Sequence, residues 1–480
     1  MRRLRTILVV TALLAAGGGC AGDDGATTSE ADRTPVLLDY SPTLSDAGAL
    51  LYLASDPTVD LRAVTLPGTG EADCRPGVRT TRALLAIAGA PDVPVGCGRD
   101  RPLTGNRDWP EEWRTETNQW SEELLPTVAE EPFVDAEQLL VDTITEATAP
   151  VTIVAVAPLT NLGAVLPTHA ELADRVDRIV IMGGAVDVAG NVEAAPAAEW
   201  NLYIDPEADR RVLDSSIPVT FVPLDATNGV PWTDRLLSRL AVLDAAPART
   251  VHEMAASRDT LVGFYLWDEL AAVAATRPDV VSVEERTVTI DDEGAVVSNP
   301  DGTTVRVAIS ADADEATEAF LRTLNGGTLP DLAPLTADER SYLIAMNGAD
   351  GRFGGATSQV YVAVERSSLG PRRTAEVFVN GFFAAIADYA VELGELDPPA
   401  AVSTAHTDYI DALNQVLAGE AQVPDALARA HGDTADELLN NASEDLSLPD
   451  LFERAGSICR TIQDFAYLHD GPRPCTADGS

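Results

Sequence analysis

Residues 36–47 read Val-Leu-Leu-Asp-Tyr-Ser-Pro-Thr-Leu-Ser-Asp-Ala, and this stretch sets the pattern for the fold. The apolar run that begins at Pro35 predicts a short strand ending in the carboxylate of Asp39. The residues from Asp46 to Ala54 then predict a helix. A buried strand followed by a polar turn and a helix is typical of α/β proteins, in which helices cover both faces of a parallel sheet.

The same alternation of strands and helices continues along the chain. Further strands are predicted at residues 61–66, 93–95, 151–156, 178–182 and 219–223, with a helix at residues 79–88. We therefore predict an open, mostly parallel sheet. Ligands bind such sheets beyond the carboxyl ends of the strands. Four residues fall just after predicted strands, so we expect them to share one site: Asp39, Thr160, Gly183 and Asp225.

The 480 residues exceed one ordinary hydrophobic core and predict more than one domain. Residues 35–327 carry the strand–helix alternation and form the predicted α/β domain. Residues 328–480 are predicted to form a mainly helical C-terminal region, with helices at 373–393, 406–418 and 425–441, after strand-like alternation at 359–364. Between residues 101 and 132 we expect a long surface loop, whose tryptophans either anchor it or stack on a ligand.

The N-terminus has the features of a bacterial lipoprotein signal peptide. Three arginines precede an apolar run at residues 7–16, which is too short to span a membrane, and Gly-Gly-Gly then precedes Cys20. We expect residues 1–20 to be the signal peptide, Cys20 to be lipidated and residues 21–34 to be a flexible tether. The protein would then be exported and held by its lipid on the outer face of the cytoplasmic membrane. Cleavage with free secretion is the alternative.

Four cysteines remain after Cys20, and an exported protein can pair them in two disulfides. Four cysteines allow three connectivities. We favour Cys74–Cys97 and Cys459–Cys475, because the members of each pair are close in sequence.

The chain is strongly acidic, with 33 Lys and Arg against 76 Asp and Glu and a formal net charge of −43. Such a surface repels phosphate backbones and anionic lipid headgroups. We therefore exclude nucleic acid as a partner and expect contact with the membrane through the lipid anchor only. The sequence leaves the oligomeric state open.

Five blocks of sequence, in this order, resemble the inosine–uridine type nucleoside hydrolases. They are residues 36–47, 154–162, 182–208, 222–227 and 266–274. The block at 182–208 is the most similar, since it contains Met-Gly-Gly, Gly-Asn-Val and Glu-Trp-Asn where the family has Glu-Phe-Asn. The resemblance runs from about Pro35 to Asn325 and implies the α/β fold of that family.

The resemblance also implies an activity. Such a protein would hydrolyse the N-glycosidic bond of a ribonucleoside, or of a related ribosyl substrate, by attack of calcium-bound water through an oxocarbenium-like transition state. Carboxylates at a strand end and a helix start suit a hard cation such as calcium, which lowers the pKa of a bound water. The residues that the resemblance assigns to calcium are the Asp46 and Asp268 carboxylates and the Thr160 carbonyl. Those it assigns to the sugar are Asn191, Glu199 and Asn201.

The sequence departs from the family pattern at residues that bind the metal or take part in catalysis in that family. The family motif is Asp-x-Asp-Pro-Gly-x-Asp-Asp, but Ser41 replaces the second aspartate, a calcium ligand and the proposed base, and Ser45 replaces the third. Trp267 replaces the histidine before the last metal aspartate, and it either packs or contacts the substrate base. The carboxylate that the family has at position 41 is absent here. Its absence implies weak or lost calcium binding and leaves Asp39 to orient or activate water.

Two main functions therefore stay open at this point. One is a nucleoside hydrolase with an eroded metal and base site. The other is a catalytically impaired surface lipoprotein that binds a nucleoside or a sugar, and a third reading is an enzyme with altered chemistry on a ribosyl-like substrate. All three predict a small-molecule ligand at the carboxyl ends of the strands.

Overall fold

The computed structural model describes residues 33–128, 132–257, 261, 263–330, 334–365 and 369–469. The predicted signal peptide, the lipidation site at Cys20 and almost all of the predicted tether lie outside these residues. Those assignments stay predictions.

The described residues alternate between strands and helices up to about residue 324 and are helical after residue 337. The strands are β1 Thr34–Asp39, β2 Val59–Leu66, β3 Val95–Cys97, β4 Val134–Asp135, β5 Val151–Ala155, β6 Val176–Met182, β7 Val219–Val222, β8 Val281–Ile290, β9 Val296–Ser298 and β10 Thr303–Ala311. The first twelve helices are α1 Leu44–Ser55, α2 Cys74–Ile87, α3 Glu111–Leu124, α4 Ala136–Glu146, α5 Thr160–Val165, α6 Trp200–Ile204, α7 Pro206–Leu213, α8 Leu224–Thr227, α9 Asp234–Ala241, α10 Ala246–Ala256, α11 Trp267–Thr276 and α12 Ala313–Leu324. The later helices are α13 Ala337–Glu365, α14 Pro371–Gly394, α15 Ser403–Ala418, α16 Val423–Arg429, α17 Ala435–Asp445 and α18 Leu448–Leu468.

The strands form one sheet in the order β4-β3-β2-β1-β5-β6-β7-β10-β8-β9. Every pair from β4 to β10 is parallel, and the last two pairs, β10–β8 and β8–β9, are antiparallel. The strand order reverses between β1 and β5, and a crevice forms at such a point because the two flanking connections leave in opposite directions. The predicted mostly parallel sheet is confirmed, and its topology places a ligand site beyond Asp39.

Helices cover both faces of the sheet, as strand alternation requires. On β1, Val36 and Leu38 belong to the apolar layer beneath α1, α2, α10, α11 and α12, whereas Leu37 belongs to the opposite layer beneath α4, α5 and α7. Because both faces of β1 are buried, its register is fixed, and so is the position of Asp39 at its end.

The predicted surface loop at residues 101–132 was wrong in one respect, because it contains the helix α3. The residues 103–124, here called the strap, fold back over the ends of β1 and β2. The helix was missed because its apolar residues are few and its charges many, so that its pattern resembles that of a solvated loop. Contacts with the body of the domain hold it in place, which only the tertiary structure shows.

The C-terminal region is mainly helical, as predicted, and α13–α18 share a separate apolar core. Residues 359–364, whose alternation looked strand-like, lie within α13. The helix predicted at 425–441 is two helices, because Thr434 caps α17 in a capping box with Glu437 and so ends the continuity with α16. The region contacts the α/β domain through α18 and α9, where the Ser238 hydroxyl donates to Asp464 Oδ1 at 2.9 Å.

Among the described helices, α14 has the length and apolar composition that could cross a membrane. The interior helix of a bundle has the same properties, and seven of the α14 side chains are buried in the helical core.

The disulfide Cys74–Cys97 is confirmed and joins the start of α2 to the end of β3. Cys459 on α18 is also disulfide-bonded. Its predicted partner, Cys475, lies outside the described residues.

We expect the double substitution Cys74→Ser with Cys97→Ser to lower the free energy of unfolding by about 3 kcal/mol, because the bond closes a loop of sequence separation 23 and so restricts the unfolded chain. Urea unfolding of the oxidised protein and the variant measures the difference. Equal unfolding midpoints would show that the disulfide does not stabilise the domain.

Candidate active site

Asp39 lies at the centre of the crevice and is completely buried. Its Oδ1 accepts hydrogen bonds from the Thr65 hydroxyl at 2.6 Å and from the Asn161 amide at 2.9 Å, which fixes the carboxylate in place. Its Oδ2 has no hydrogen-bond partner among the described residues. Burial raises the pKa of Asp39 to about 7, against the opposing effect of the two hydrogen bonds. The group can therefore exchange a proton near neutral pH.

Asp46 is held at the start of α1, in the first turn of the helix. It accepts a hydrogen bond from the Thr43 hydroxyl and a longer one, at 3.4 Å, from the Ser41 backbone nitrogen. The family motif has a glycine at position 43, and here that threonine is the N-cap of α1. The β1–α1 turn thus keeps the carboxylate of Asp46 beside Ser41.

Asp268 enters the same place from α11, which packs against α1. Both Asp46 and Asp268 are almost fully buried. Burial and the nearby negative charge of Asp268 raise the pKa of Asp46 well above its ordinary value. Two buried carboxylates that repel each other in this way are the arrangement that a divalent cation stabilises.

Glu269 is a buried acid that the sequence did not single out. It follows Asp268 on α11, and neither of its carboxylate oxygens has a hydrogen-bond partner among the described residues. A side-chain carbon added at Gly48 of α1 would lie 2.7 Å from Glu269 Oε1, so glycine is needed for the two helices to approach. Burial, and then the charge of Asp268, raise the pKa of Glu269 well above its ordinary value.

Thr160 begins α5, directly after β5, and is fully buried. Its hydroxyl lies 2.8 Å from the Thr69 hydroxyl, which follows β2, and donates to Asp205 Oδ2 at 2.9 Å. Asp205 also accepts from the backbone nitrogen of Leu103 in the strap. Asp205 therefore holds the side chain of Thr160, a role that the sequence did not reveal although Asp205 lies within the most similar block.

Glu199 is buried and binds backbone nitrogen atoms around the start of α6. Its carboxylate accepts from Gly184 at 3.1 Å and from Asn201 at 3.0 Å. Burial raises the pKa of Glu199 to about 7, although these donors lower it. The carboxylate thus joins the Gly183-Gly184 turn after β6 to the helix that carries Asn201.

Asn201 and Asn191 complete this segment. The Asn201 side-chain nitrogen donates to the Met182 carbonyl at 3.2 Å and to the Val156 carbonyl at 3.4 Å, which places it at the ends of β6 and β5. Asn191 is exposed, and its side-chain oxygen accepts from the Trp200 backbone nitrogen at 3.1 Å. Asn201 lies at the crevice and Asn191 at its rim.

Asp225, the last of the four post-strand residues, binds the backbone of a neighbouring loop. Its carboxylate accepts hydrogen bonds from the backbone nitrogens of Val186 and Asp187. It therefore stabilises the loop after Gly184, and no contact between Asp225 and the Asp39 cluster is seen among the described residues.

The strap is fastened to the segments that carry these residues. Its indole nitrogens donate to backbone carbonyls at the end of β1 and β2, and its tryptophans stack beside the start of α6. The contacts are Trp120 to Pro42, Trp109 to Thr69, and Trp109 and Trp113 to Trp200 at 5.2 Å between ring centroids. Of the two readings of these tryptophans, the structure supports anchoring, since their rings contact one another and the domain.

Trp267 begins α11 beside Asp268. Its ring packs against Phe264 and Tyr265, with centroids 5.9 and 5.8 Å away. Its indole nitrogen is buried and has no hydrogen-bond partner among the described residues. The faces of the Trp267 ring are thus packed against neighbouring rings. Its indole N–H remains a hydrogen-bond donor at the sequence position where the family has a histidine.

Among the described residues, no three Asp, Glu, His or Cys side chains converge as a metal centre. The candidate oxygen donors are the electrostatically coupled Asp46 and Asp268 carboxylates and, by the family resemblance, the carbonyl of Thr160 at the start of α5. This set is composed of hard ligands and suits calcium in type, but it has fewer carboxylates than a hard dication usually binds.

The family model of inosine-uridine preferring nucleoside hydrolases matches residues 36–318. The chain belongs to this family. The match covers the α/β domain and ends before α13, so the helical C-terminal region lies beyond the part that defines a nucleoside hydrolase.

Named relatives agree with the family match. The pyrimidine-specific ribonucleoside hydrolase RihA of Photobacterium profundum is 35% identical over 221 residues, which are 46% of this chain and 70% of that protein. Uridine nucleosidase 1 of Arabidopsis thaliana is 29% identical over 272 residues, 55% of this chain and 80% of that protein. The similarity covers most of the length of each of these two nucleoside hydrolases.

Solved structures show the same fold. A plant nucleoside hydrolase, PpNRh1, superposes with a TM-score of 0.53 at 26% identity and covers 61% of this chain and 99% of its own. The inosine-uridine preferring nucleoside hydrolase of Bacillus anthracis superposes with a TM-score of 0.55 at 23% identity over 61% of this chain and 99% of its own, which shows the shared fold. The fold prediction made from the five blocks is confirmed.

We expect Asp39→Asn to change how stability depends on pH. The folded protein holds the Asp39 proton to about pH 7, whereas the unfolded chain releases it near the ordinary pKa of 3.8. The stabilisation is therefore present below about pH 4 and is lost as the pH rises to about 7. Asparagine does not titrate, so the variant should gain on the order of 2–4 kcal/mol over the parent between pH 4 and pH 8.

Urea unfolding in chelator at a series of pH values measures this gain. The control is Asp60→Asn, the same chemical change near the start of β2, at the opposite edge of the sheet from Asp39. Parallel pH profiles for the parent and Asp39→Asn would contradict the raised pKa of Asp39.

Proposed function

We propose that this member of the family is an exported lipoprotein that hydrolyses the N-glycosidic bond of ribonucleosides in the crevice between β1 and β5. The observation that supports the proposal is the buried carboxylate of Asp39 at the end of β1, at the same edge of the sheet as the electrostatically coupled Asp46 and Asp268. The names of the relatives favour pyrimidine ribonucleosides, uridine first, as substrates.

In this proposal Asp39 accepts the proton of the attacking water. Thr65 and Asn161 fix Oδ1 and leave Oδ2, which has no partner among the described residues, available to the water. A pKa near 7 suits a general base at neutral pH, because the group is then ionised in part and still basic enough to take a proton. Asp39 would thereby replace the carboxylate that is absent at Ser41.

Asp46, Asp268 and the Thr160 carbonyl would hold calcium. A calcium ion bound there would supply a positive charge that orients a water and lowers its pKa. The mutual repulsion of the two buried carboxylates supports this assignment, since a cation would relieve it. The serine at position 41 leaves the site one negative charge short of the family pattern, so we expect calcium to bind weakly.

The substrate would lie between the calcium ligands and the segment that carries Glu199 and Asn201. Both side chains are buried at the crevice, and Asn191 stands at its rim. These polar groups would bind the ribose hydroxyls. The unpaired indole nitrogen of Trp267 would face the base and could donate a hydrogen bond to it as the glycosidic bond breaks.

Ser41 favours a second candidate function, a surface lipoprotein that binds a nucleoside or sugar without turning it over. The Ser41 hydroxyl accepts a hydrogen bond from the Ala72 backbone nitrogen at 3.0 Å, and a side-chain carbon on Gly70 would lie 2.8 Å from it. The loop after β2 thus holds the Ser41 hydroxyl as a hydrogen-bond acceptor. Retained sugar contacts without the family base are what a binding protein requires.

Hydrolysis of a nucleoside panel distinguishes the two candidates. We expect release of free ribose from uridine in calcium and a loss of turnover in chelator. Asp39→Asn should lower kcat by about 10²-fold or more with little change in KM, because general base catalysis contributes about 10²–10⁴ in rate. Asp60→Asn should leave both constants unchanged.

Binding of nucleoside or ribose without turnover, measured by calorimetry on the same samples, would favour the binding lipoprotein. Turnover that persists in chelator, or in Asp39→Asn, would contradict the assigned roles of calcium and of Asp39.

We expect the substitution Ser41→Asp with Ser45→Asp to raise calcium affinity at least tenfold, because it restores two negative charges to the motif. Calorimetric titration with calcium measures the change. The matched control is Ser41→Asn with Ser45→Asn, which adds similar volume and oxygen atoms without charge. Equal affinities in the two variants would contradict the view that this turn is an eroded calcium site.

A further inference from the structure

The helical C-terminal region contains a cavity of about 660 Å³ between its helices. It lies between α14 and α17 and is closed by α13, α16 and α18. Its volume falls within the roughly 300–1,000 Å³ of small-molecule sites. It is about four times the cavity of about 150 Å³ that holds a benzene molecule. No residue of this region belongs to the family match, so nucleoside hydrolysis does not account for the cavity.

The cavity has an apolar floor and an aromatic wall. The floor side chains are 3–7% exposed and include Phe383, Val423, Ala442 and Leu448. Along the wall the rings of Tyr361, Phe378, Phe382 and Phe452 follow one another with centroid separations of 4.9, 5.8 and 5.8 Å. The rings pack on one another and border the open volume, and a bound apolar chain would add further dispersion contacts with them.

The mouth of the cavity is polar but uncharged. Tyr361 and Asn440 are exposed there, and the half-buried Ser443 and Thr374 lie at its side. None of the described lining residues carries a charge, whereas 23% of the whole chain is Asp, Glu, Lys or Arg. A carboxylate or phosphate head would find no cation in this lining, and the net charge of −43 repels it.

We propose that this cavity binds a neutral single-chain amphiphile, of which a monoacylglycerol is the simplest form. The acyl chain would lie on the floor against the ring wall. The hydroxyl groups of the head would meet the Asn440 amide and the hydroxyl groups at the mouth. The inference is independent of the proposed hydrolase activity, because it rests on residues of the helical region alone.

The test uses the purified protein and the fluorescent apolar probe 1-N-phenylnaphthylamine, titrated below the concentration at which the lipids form micelles. We expect saturable binding of one probe molecule and its displacement by 1-monomyristoylglycerol. Myristic acid at pH 8 should displace the probe at least tenfold less well. No saturable binding would overturn the proposal, and equal or better displacement by myristate would overturn the neutral head.

Two variants fill the cavity, and one provides a matched control. Ala442→Trp occupies the floor, and Ala435→Trp, at a half-buried position on the lining, narrows the cavity with less risk to folding. Each should lower probe affinity at least tenfold. Ala384→Trp makes the same change on the exposed face of α14 and should alter it less than twofold. Unchanged affinity in a folded Ala435→Trp would show that the probe binds elsewhere.

Discussion

The burial of several carboxylates at one edge of a parallel sheet is the constraint on which the rest of this site depends. Asp39, Asp46, Asp268 and Glu199 are at most 5% exposed, and each would lose its hydration on folding. Burying an ionised carboxylate is costly unless hydrogen bonds or a cation replace water. Asp39 and Glu199 obtain donors from side chains and backbone nitrogens of neighbouring strands. Asp46 accepts hydrogen bonds from Thr43 and Ser41, and the negative charge of Asp268 raises its pKa further, which supports the proposed cation there.

The serine at position 41 and the loop after β2 are in direct contact. The loop approaches closely enough for Ala72 to donate to the Ser41 hydroxyl, and Gly70 lies against the same serine. The strap reinforces that position, because Trp109 and Arg114 donate to the carbonyls of Thr69 and Gly70. Ser41, the loop after β2 and the strap therefore support one another through these contacts. Asp39 itself is completely buried, and burial raises its pKa to about 7.

The helical region extends this chain beyond the family match, which ends at residue 318, whereas the strap and the disulfide Cys74–Cys97 lie within it. The disulfide Cys74–Cys97 ties the loop that carries Thr69 to β3, so it limits motion where the strap is fastened. The helical region contacts α9. In the chain, α9 is followed by α10 and then by α11, the helix that carries Asp268. Its own core and its uncharged cavity give it a chemistry separate from that of the acidic crevice.

The sequence alone determined the α/β fold, the carboxylate at the end of β1 and the family, and it favoured the pairing of Cys74 with Cys97 among three connectivities. These features are local or periodic: a strand reads as an apolar run, and family motifs keep their order. Only the tertiary structure decided that residues 111–124 form a helix, that Asp205 fixes Thr160, that Glu269 is buried and that Asp225 supports a loop. Each of these depends on a partner far away in the chain, and a carboxylate has the same appearance in sequence whether water or a second carboxylate surrounds it.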